Sequence, residues 1–449
     1  MNRSLINEIS VLACAIHSTV SFSSLTLQNF HSPAVQNTEA STSSYPVVIA
    51  SSPRMAKEFL TNHDQVFASR PQTAAGKYIN YNYSDIGLAP YRPHWRQGRK
   101  IFMNELFSAK RIESFKDIRV EEMRAFVSRL YGLSGKPVVL VEQLSRLTLS
   151  IISRMVLGNK YFGVSGDDRI GPDSKGYVKR MKALKTKLDR FHDNVLDEHK
   201  RRKKELGKDF EAQGFVDLLL QLADDPDPDV QLTSDAVRGF TQDLISGGTD
   251  SSALTVEWAI SEVIKEPQLI RQATEELDKV VGKERWVEEA DIPQLPFLEA
   301  IMKETMRRHP ACVLLPPRLA MEDCNVVGYD IRKGTRVFVN AWSIGRDPLL
   351  WEQPQEFCPN RFIGQNISVR GTNCELLPFG AGKEDVSRLQ PWTKDDSIEL
   401  GKLVAWLQLE IARQYQSRRF EYGGSLWIDN TKKVPTCCSH GASSPSSSL

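Results

Sequence analysis

Apolar positions recur at helical spacing through most of this chain. Stretches 94–107, 111–130, 142–157, 176–205 and 234–264 each gather apolar residues on one face and predict amphipathic helices. Tyr45–Ala50 reads as a strand because of its run of β-branched residues. Ser52-Pro53 then opens a short helix, since serine can cap and the fixed φ of proline suits a first turn. Asp224–Asp229, with two prolines among four acids, predicts a surface loop, and Thr233 or Ser234 can cap the helix after it. Pro293 and Pro296 precede another helix, 297–308. Beyond Pro310 the pattern shortens to strands, Asn325–Ile331 and Arg336–Asn340, with Gly334 in a turn. No internal repeat interrupts this order. The fold class is mainly α with small β-sheets, in one domain over residues 45–382. Residues 1–44, rich in Ser, Thr and Asn, read as a poorly ordered leader.

Composition narrows the function classes. The chain has 449 residues and 41% apolar content, enough for a large core. Its 58 basic and 56 acidic residues nearly cancel, which argues against a nucleic-acid partner. Seven scattered cysteines do not make a disulfide scaffold, so a reducing compartment is expected. No run reaches the ~18 apolar residues of a membrane span. The nearest approach, Ile9–Phe22, is short and carries Ser10, His17, Ser18 and Thr19.

Four groups of residues carry candidate chemistry. Glu304 and Arg307 stand three apart and share a helix face, where they can pair. Arg361, in Phe357-Cys-Pro-Asn-Arg-Phe362, can join them as a buried triad. Gly247-Gly248-Thr249-Asp250-Ser251 puts two glycines, each costing ~1 kcal/mol against alanine, inside the longest apolar helix, and such glycines need a packing or functional reason. Trp95-Arg-Gln-Gly-Arg99 places an indole and a guanidinium one turn apart. Pro378-Phe379-Gly380-Ala-Gly382 is a glycine-rich loop. With Lys383 it has the look of a phosphate loop but lacks that motif's first glycine and final Ser or Thr. Two other signals are set aside. Lys200–Lys204 reads as a solvated helix end, and Cys437-Cys438 with His440 lacks a second ligand pair for zinc.

Taken together, these motifs resemble the cytochrome P450 family, plant microsomal type, nearest to flavonoid-hydroxylating and homoterpene-forming members. The match runs from about residue 45 to 382 and includes Phe67–Pro71 and Pro316-Pro317. The resemblance implies a haem-thiolate monooxygenase that inserts one atom of dioxygen into a small apolar plant metabolite. Its electrons come from NADPH through NADPH-cytochrome P450 reductase, and its expected location is the endoplasmic reticulum membrane, although no anchor is evident. It assigns Glu304, Arg307 and Arg361 to a structural lock behind the haem. Trp95 and Arg99 would hold a propionate, the planar Arg fork being suited to a carboxylate. Gly247 and Gly248 would let the helix cross the haem face. Asp250 and Ser251 would be the acid–alcohol pair that delivers protons, with Ser where the family more often has Thr. Phe379, Gly380 and Gly382 would belong to the haem-binding loop.

One departure limits what the resemblance implies. The family sets a cysteine thiolate on the iron, within Phe-x-x-Gly-x-Arg-x-Cys-x-Gly. Here Val386 stands at that position, Cys374 lies before the loop and Cys437 far beyond it, so no metal ligand is in register. The genetic code offers an account. Codons read one base later force Lys383 and Glu384 each to Lys or Arg and allow Cys at 386, Pro at 387 and Gly at 388. The same shift forces Trp392, Trp406 and Trp427 to glycine, as in the family's C-terminus. Residues 383–449 are therefore expected to be an out-of-frame tail, with haem binding weakened. The alternative reading is a non-catalytic binding protein of the same fold, or the product of a pseudogene.

Overall fold

The computed structural model describes residues 46–133, 138–160, 177–224, 232–282, 285, 287–372 and 374–382. The expected leader, the tail with Val386, and most of the acidic loop lie outside the described residues.

The chain enters through strand β1 (Val47–Ala50) and helix α1 (Pro53–Lys57), which continues as a π-helical turn to Asn62. Helices α2 (Ala74–Tyr78), α3 (Pro93–Ile101), α4 (Ala109–Glu113), α5 (Lys116–Gly132) and α6 (Leu140–Leu157) follow. Then come α7 (Tyr177–Leu206), α8 (Phe215–Ala223), α9 (Ser234–Lys265), α10 (Pro267–Val280) and α11 (Pro296–Arg308). The last part holds β2 (Arg318–Leu319), β3 (Cys324–Val326), β4 (Tyr329–Ile331), β5 (Arg336–Val339) and α12 (Ala341–Ile344).

Local signals account for most boundaries. Ser52 caps α1 by accepting from the Met55 amide, and Thr233 caps α9 by accepting from that of Ala236. Pro53, Pro93, Pro267 and Pro296 each stand in the first turn of a helix, where a missing N–H costs nothing. The sequence pattern treated Asn325–Ile331 as one strand. The structure makes it a hairpin, because Val327 and Gly328 both take positive φ, 52° and 86°, and reverse the chain. Asn325 holds that turn by accepting from the Gly328 amide and donating to Asp330.

Helix α9, about 48 Å long at 1.5 Å per residue, is the spine. Val237, Phe240, Leu244, Ala253, Val256, Ala259 and Val263 are buried along it. Leu144, Leu147, Ile151, Ile152 and Met155 of α6 belong to the same core. Edge-to-face pairs join the turn after α3 to α9 through Phe102–Phe240 at 5.3 Å, and the start of α5 to α8 through Phe115–Phe215 at 5.2 Å. A second core lies beneath the mixed sheet, in which β5 pairs in parallel with β1 and antiparallel with β2. Val48, Phe59, Leu60, Val337, Val339, Cys374 and Leu377 fill it. The long-range β1–β5 pairing thus brings the start of the domain against the loop that ends at Gly382.

Candidate functional site

The lock forms where α11 meets the turn Pro359–Phe362. Arg307 gives Nε to Glu304 Oε2 at 2.7 Å and Nη2 to Oε1 at 2.8 Å. Its remaining N–H groups go to the carbonyls of Gly345, Pro354 and Glu356. Glu304 also accepts from Arg361 Nε at 3.2 Å and from the Cys358 amide at 2.7 Å. Glu304 is 0% and Arg307 1% exposed, so these charges persist only because each donor and acceptor is matched. Gly345 is required there, since a Cβ would lie 2.3 Å from the Arg307 carbonyl oxygen.

The glycine pair of α9 divides into two roles. At Gly248 a Cβ would stand 2.5 Å from Ile152 Cδ1, so this glycine permits the close crossing of α6. At Gly247 nothing lies within 4 Å of such a Cβ. Gly247, Ser251 and Leu254 are all exposed although the helix is central, and their spacing puts them on one stripe. Ser251 Oγ donates to the Gly247 carbonyl at 2.7 Å. Asp250 is half-buried, and burial pushes its carboxyl up to about 6. Thr249 faces the core, buried, with its hydroxyl on the Ile245 carbonyl.

Trp95 is buried on α3, and the Arg99 guanidinium sits 5.3 Å from its ring centroid. Gly98, between them, is held to glycine by Phe240 at 2.7 Å. In the loop, Gly380 and Gly382 both have φ near +80°, and a Cβ on Gly382 would meet the Leu60 carbonyl at 1.9 Å. Buried Arg318 donates to the Ala381 carbonyl at 2.9 Å and pairs with Asp64 at 3.6 Å. Phe379 packs against the cluster of Ala300, Trp351, Phe362, Val369 and Leu376, the same shell that surrounds the lock.

Several residues that matter here carried no motif. Asp243 of α9 accepts from the amides of Ile86 and Gly87, and Asp85 accepts from Asn80 and the Leu88 amide. Tyr81 meets His192 of α7 at 2.8 Å. For the two acids the available signal was a carboxylate running straight into apolar sequence: Asp243 before Leu244-Ile245, and Asp85 before Ile86-Gly87-Leu88.

The comparisons agree with this geometry. The cytochrome P450 family model matches residues 38–169 and 169–384. The trimethyltridecatetraene synthase of Zea mays is 41% identical over 76% of this chain and 70% of its own length. Cytochrome P450 71A1 of Persea americana is 37% identical over 87% and 84%. Flavonoid 3'-monooxygenase of Petunia hybrida is 38% identical over 75% and 72%. Among solved structures, a zebra fish cytochrome P450 with progesterone superposes with TM-score 0.68 at 27% identity, covering 82% of this chain and 86% of that one. The chain belongs to the cytochrome P450 family. Its relatives include plant secondary-metabolism monooxygenases, and the family implies a haem cofactor with electrons from NADPH through a reductase.

The described residues fit that cofactor in part. The open stripe on α9 leaves room at Gly247, and the left-handed glycines shape the loop 378–382. The iron ligand is the misfit. Cys374 is 1% exposed, gives its Sγ to the Gly371 carbonyl, and burial pushes its thiol up to about 11, the reverse of a thiolate ligand. Cys312, Cys324 and Cys358 precede the loop in sequence, and the expected position holds Val386. Among the described residues no helix is long and apolar enough to cross a membrane.

Proposed function

We propose that the architecture is that of a monooxygenase for a small apolar plant metabolite, and that this chain, as written, is an inactive form of it. The observation that carries the first half is the exposed stripe Gly247–Ser251–Leu254 in the middle of an otherwise buried helix, next to a carboxyl that burial keeps near neutrality. A carboxyl poised there can take and release protons at physiological pH. Asp250 is the proton-handling group and the Ser251 hydroxyl its partner. Ser251 would turn from the Gly247 carbonyl toward a bound ligand. Trp95 and Arg99 would hold a haem propionate, Gly247 would keep the oxygen side clear, and Phe379, Gly380 and Gly382 would shape the proximal side. The lock Glu304–Arg307–Arg361 holds that loop's supporting shell. Residues 45–382 form the domain, and the partners are a reductase and the endoplasmic reticulum membrane.

The second half rests on Val386 in place of cysteine. A thiolate is what this family uses to drive oxygen–oxygen cleavage, and valine cannot ligate iron. The out-of-frame tail, residues 383–449, is the proposed cause. The test has two arms. Haem-reconstituted protein, reduced under carbon monoxide, is expected to lack a thiolate-type Soret band, while the same chain with the frame restored after Gly382 gains one. A thiolate-type band from the chain as written would overturn the inactive reading. A transcript without a cysteine codon one base away from codon 386 would overturn the frame-shift origin. Should the frame-restored chain bind apolar ligands yet show no such band, the non-catalytic binding reading replaces this one.

A further inference from the structure

Segment Asn80–Leu88 lies on the stretch of α9 just before the glycine pair. Tyr81, Asn82 and Tyr83 take positive φ in succession, 49°, 54° and 65°, so the segment is held against its own backbone preference. Gly239 lets it seat: a Cβ there would come within 2.9 Å of the Ser84 carbonyl oxygen and 3.0 Å of the Asp85 nitrogen. Asp243 Oδ2 accepts from Ile86 N at 2.7 Å and Gly87 N at 3.1 Å. Asp85 is 0% exposed, and its Oδ2 accepts from Asn80 Nδ2 and Leu88 N, both at 2.8 Å. Its Oδ1 is buried without a hydrogen-bond partner among the described residues. The two carboxyl groups converge on Gly87, where a Cβ would stand 3.5 Å from Asp243 Oδ1 and 3.7 Å from Asp85 Oδ2.

With Asp85 buried and Asp243 half-buried beside it, the two carboxylates cannot both be ionised at modest cost. No cation hydrogen-bonds or ion-pairs with either one among the described residues. The other titratable groups nearby belong to different contacts. Tyr83, on the segment, gives its hydroxyl to the Thr73 carbonyl. His94 of α3 stacks on Phe240. At the far end Tyr81 engages His192, with Lys185, Asp189 and Asp193 of α7 and Arg238 of α9 around it.

We propose that Asp243 and Asp85 form a one-proton anchor. Ionised Asp243 holds the Ile86 and Gly87 amides, Asp85 stays protonated beside it, and the segment is thereby positioned one turn before Gly247. Asp243 is the natural site of the charge because it is only partly buried and both its donors are backbone amides, whereas Asp85 is 0% exposed with one oxygen unpartnered among the described residues. Burial pushes Asp85 well above the usual carboxylate range, with Asp243 adding to the effect, and burial pushes Asp243 up to about 6. Both act as positioning residues for the site proposed above. The anchor itself needs no haem.

The sign follows from linkage. The seated segment keeps a proton on Asp85 that the opened segment, with an ordinary carboxyl, releases. Opening therefore becomes easier as pH rises, by at most roughly tenfold per pH unit over the range in which the seated Asp85 keeps its proton and an opened carboxyl does not. Hydrogen exchange on the full-length chain reads this directly, once rates are corrected for intrinsic pH dependence. The wild-type amides of residues 86–88 should show that slope. Asp85→Asn, a neutral isostere, should abolish the slope and keep the amides protected at pH 7. Asp243→Asn should speed exchange at residues 86–87 by about tenfold or more while keeping the slope. Peptides covering 253–263 of α9 report whether the fold is intact and should not change. A flat wild-type slope, a slope that survives Asp85→Asn, or unchanged exchange in Asp243→Asn would each overturn the anchor. So would failure of Asp85→Asn to fold, because the proposal places a neutral group there already. None of these outcomes bears on the Soret test of the proposed function.

Discussion

Two buried polar regions in this molecule are built on opposite terms. Around Glu304, Arg307 and Arg361 every charge meets an opposite charge or a carbonyl, with Glu304 and Arg307 fully buried and Arg361 at the edge. Asp243 and Asp250 of α9, and Asp85 of the segment seated on it, are buried or half-buried with no cation hydrogen-bonded or ion-paired to them among the described residues, and burial raises all three carboxyls. Full matching makes the first region rigid and leaves it with nothing to exchange. Incomplete matching leaves the second with protons that can move near neutral pH. The first therefore reads as scaffold, and the second is where the proposed proton handling would take place.

The largest expected effect breaks the matched region. Glu304→Ala strands Arg307 and Arg361, and should cost ~3–5 kcal/mol in denaturant unfolding. If the loss is under ~1 kcal/mol, the lock is not the closed network described above.

Next is Glu262, a matched group on α9 itself. Burial alone would raise it, but the hydrogen bond from His309 and the charges of Lys265, His309 and Arg308 hold it at about 2. Its folded value lies below the ordinary 4.5, so its contribution is present above about pH 4.5 and fades as pH falls toward 2. Glu262→Gln should flatten the acid limb of the stability curve between pH 5 and 3, by on the order of 2 kcal/mol. An unchanged acid limb would show that the Glu262–His309 contact contributes nothing to folding.

The glycines of α9 sharpen the contrast further. Gly239→Ala pushes on the backbone of Ser84 and Asp85, and should cost ~1–3 kcal/mol. Gly247→Ala meets open space and should stabilise by ~1 kcal/mol. Thermal unfolding of the two variants should move in opposite directions, and the same sign for both would contradict the open stripe. Smallest is Ser251→Ala, which removes an exposed hydroxyl bonded only to its own helix. Its stability should stay within ~0.5 kcal/mol of wild type, so a larger loss would assign Ser251 to structure.

Much of this was legible in one dimension. Helical periodicity located α3, α5, α6, α7, α9 and α11, and Thr233 and Pro296 marked the starts of α9 and α11, because those signals act over one or two turns. The motif around Glu304 and Arg361 pointed to a triad, since buried charge has few tolerable arrangements. The hairpin at Val327-Gly328 was less visible, as valine seldom takes positive φ and marks no turn.

Sequence by itself determined the helical class, the family's motifs, and the valine at position 386 where that family sets cysteine. These depend on residue type and spacing alone. Tertiary structure decided which glycine of the pair faces α6 and which faces open space, because only packing gives a helix its orientation about its own axis. It also decided that Asp85 and Asp243, 158 residues apart, converge on Gly87. No local rule reaches across that separation. The proximity is imposed by a strained segment seated on Gly239, and it turns two ordinary acids into a pair that must share a proton.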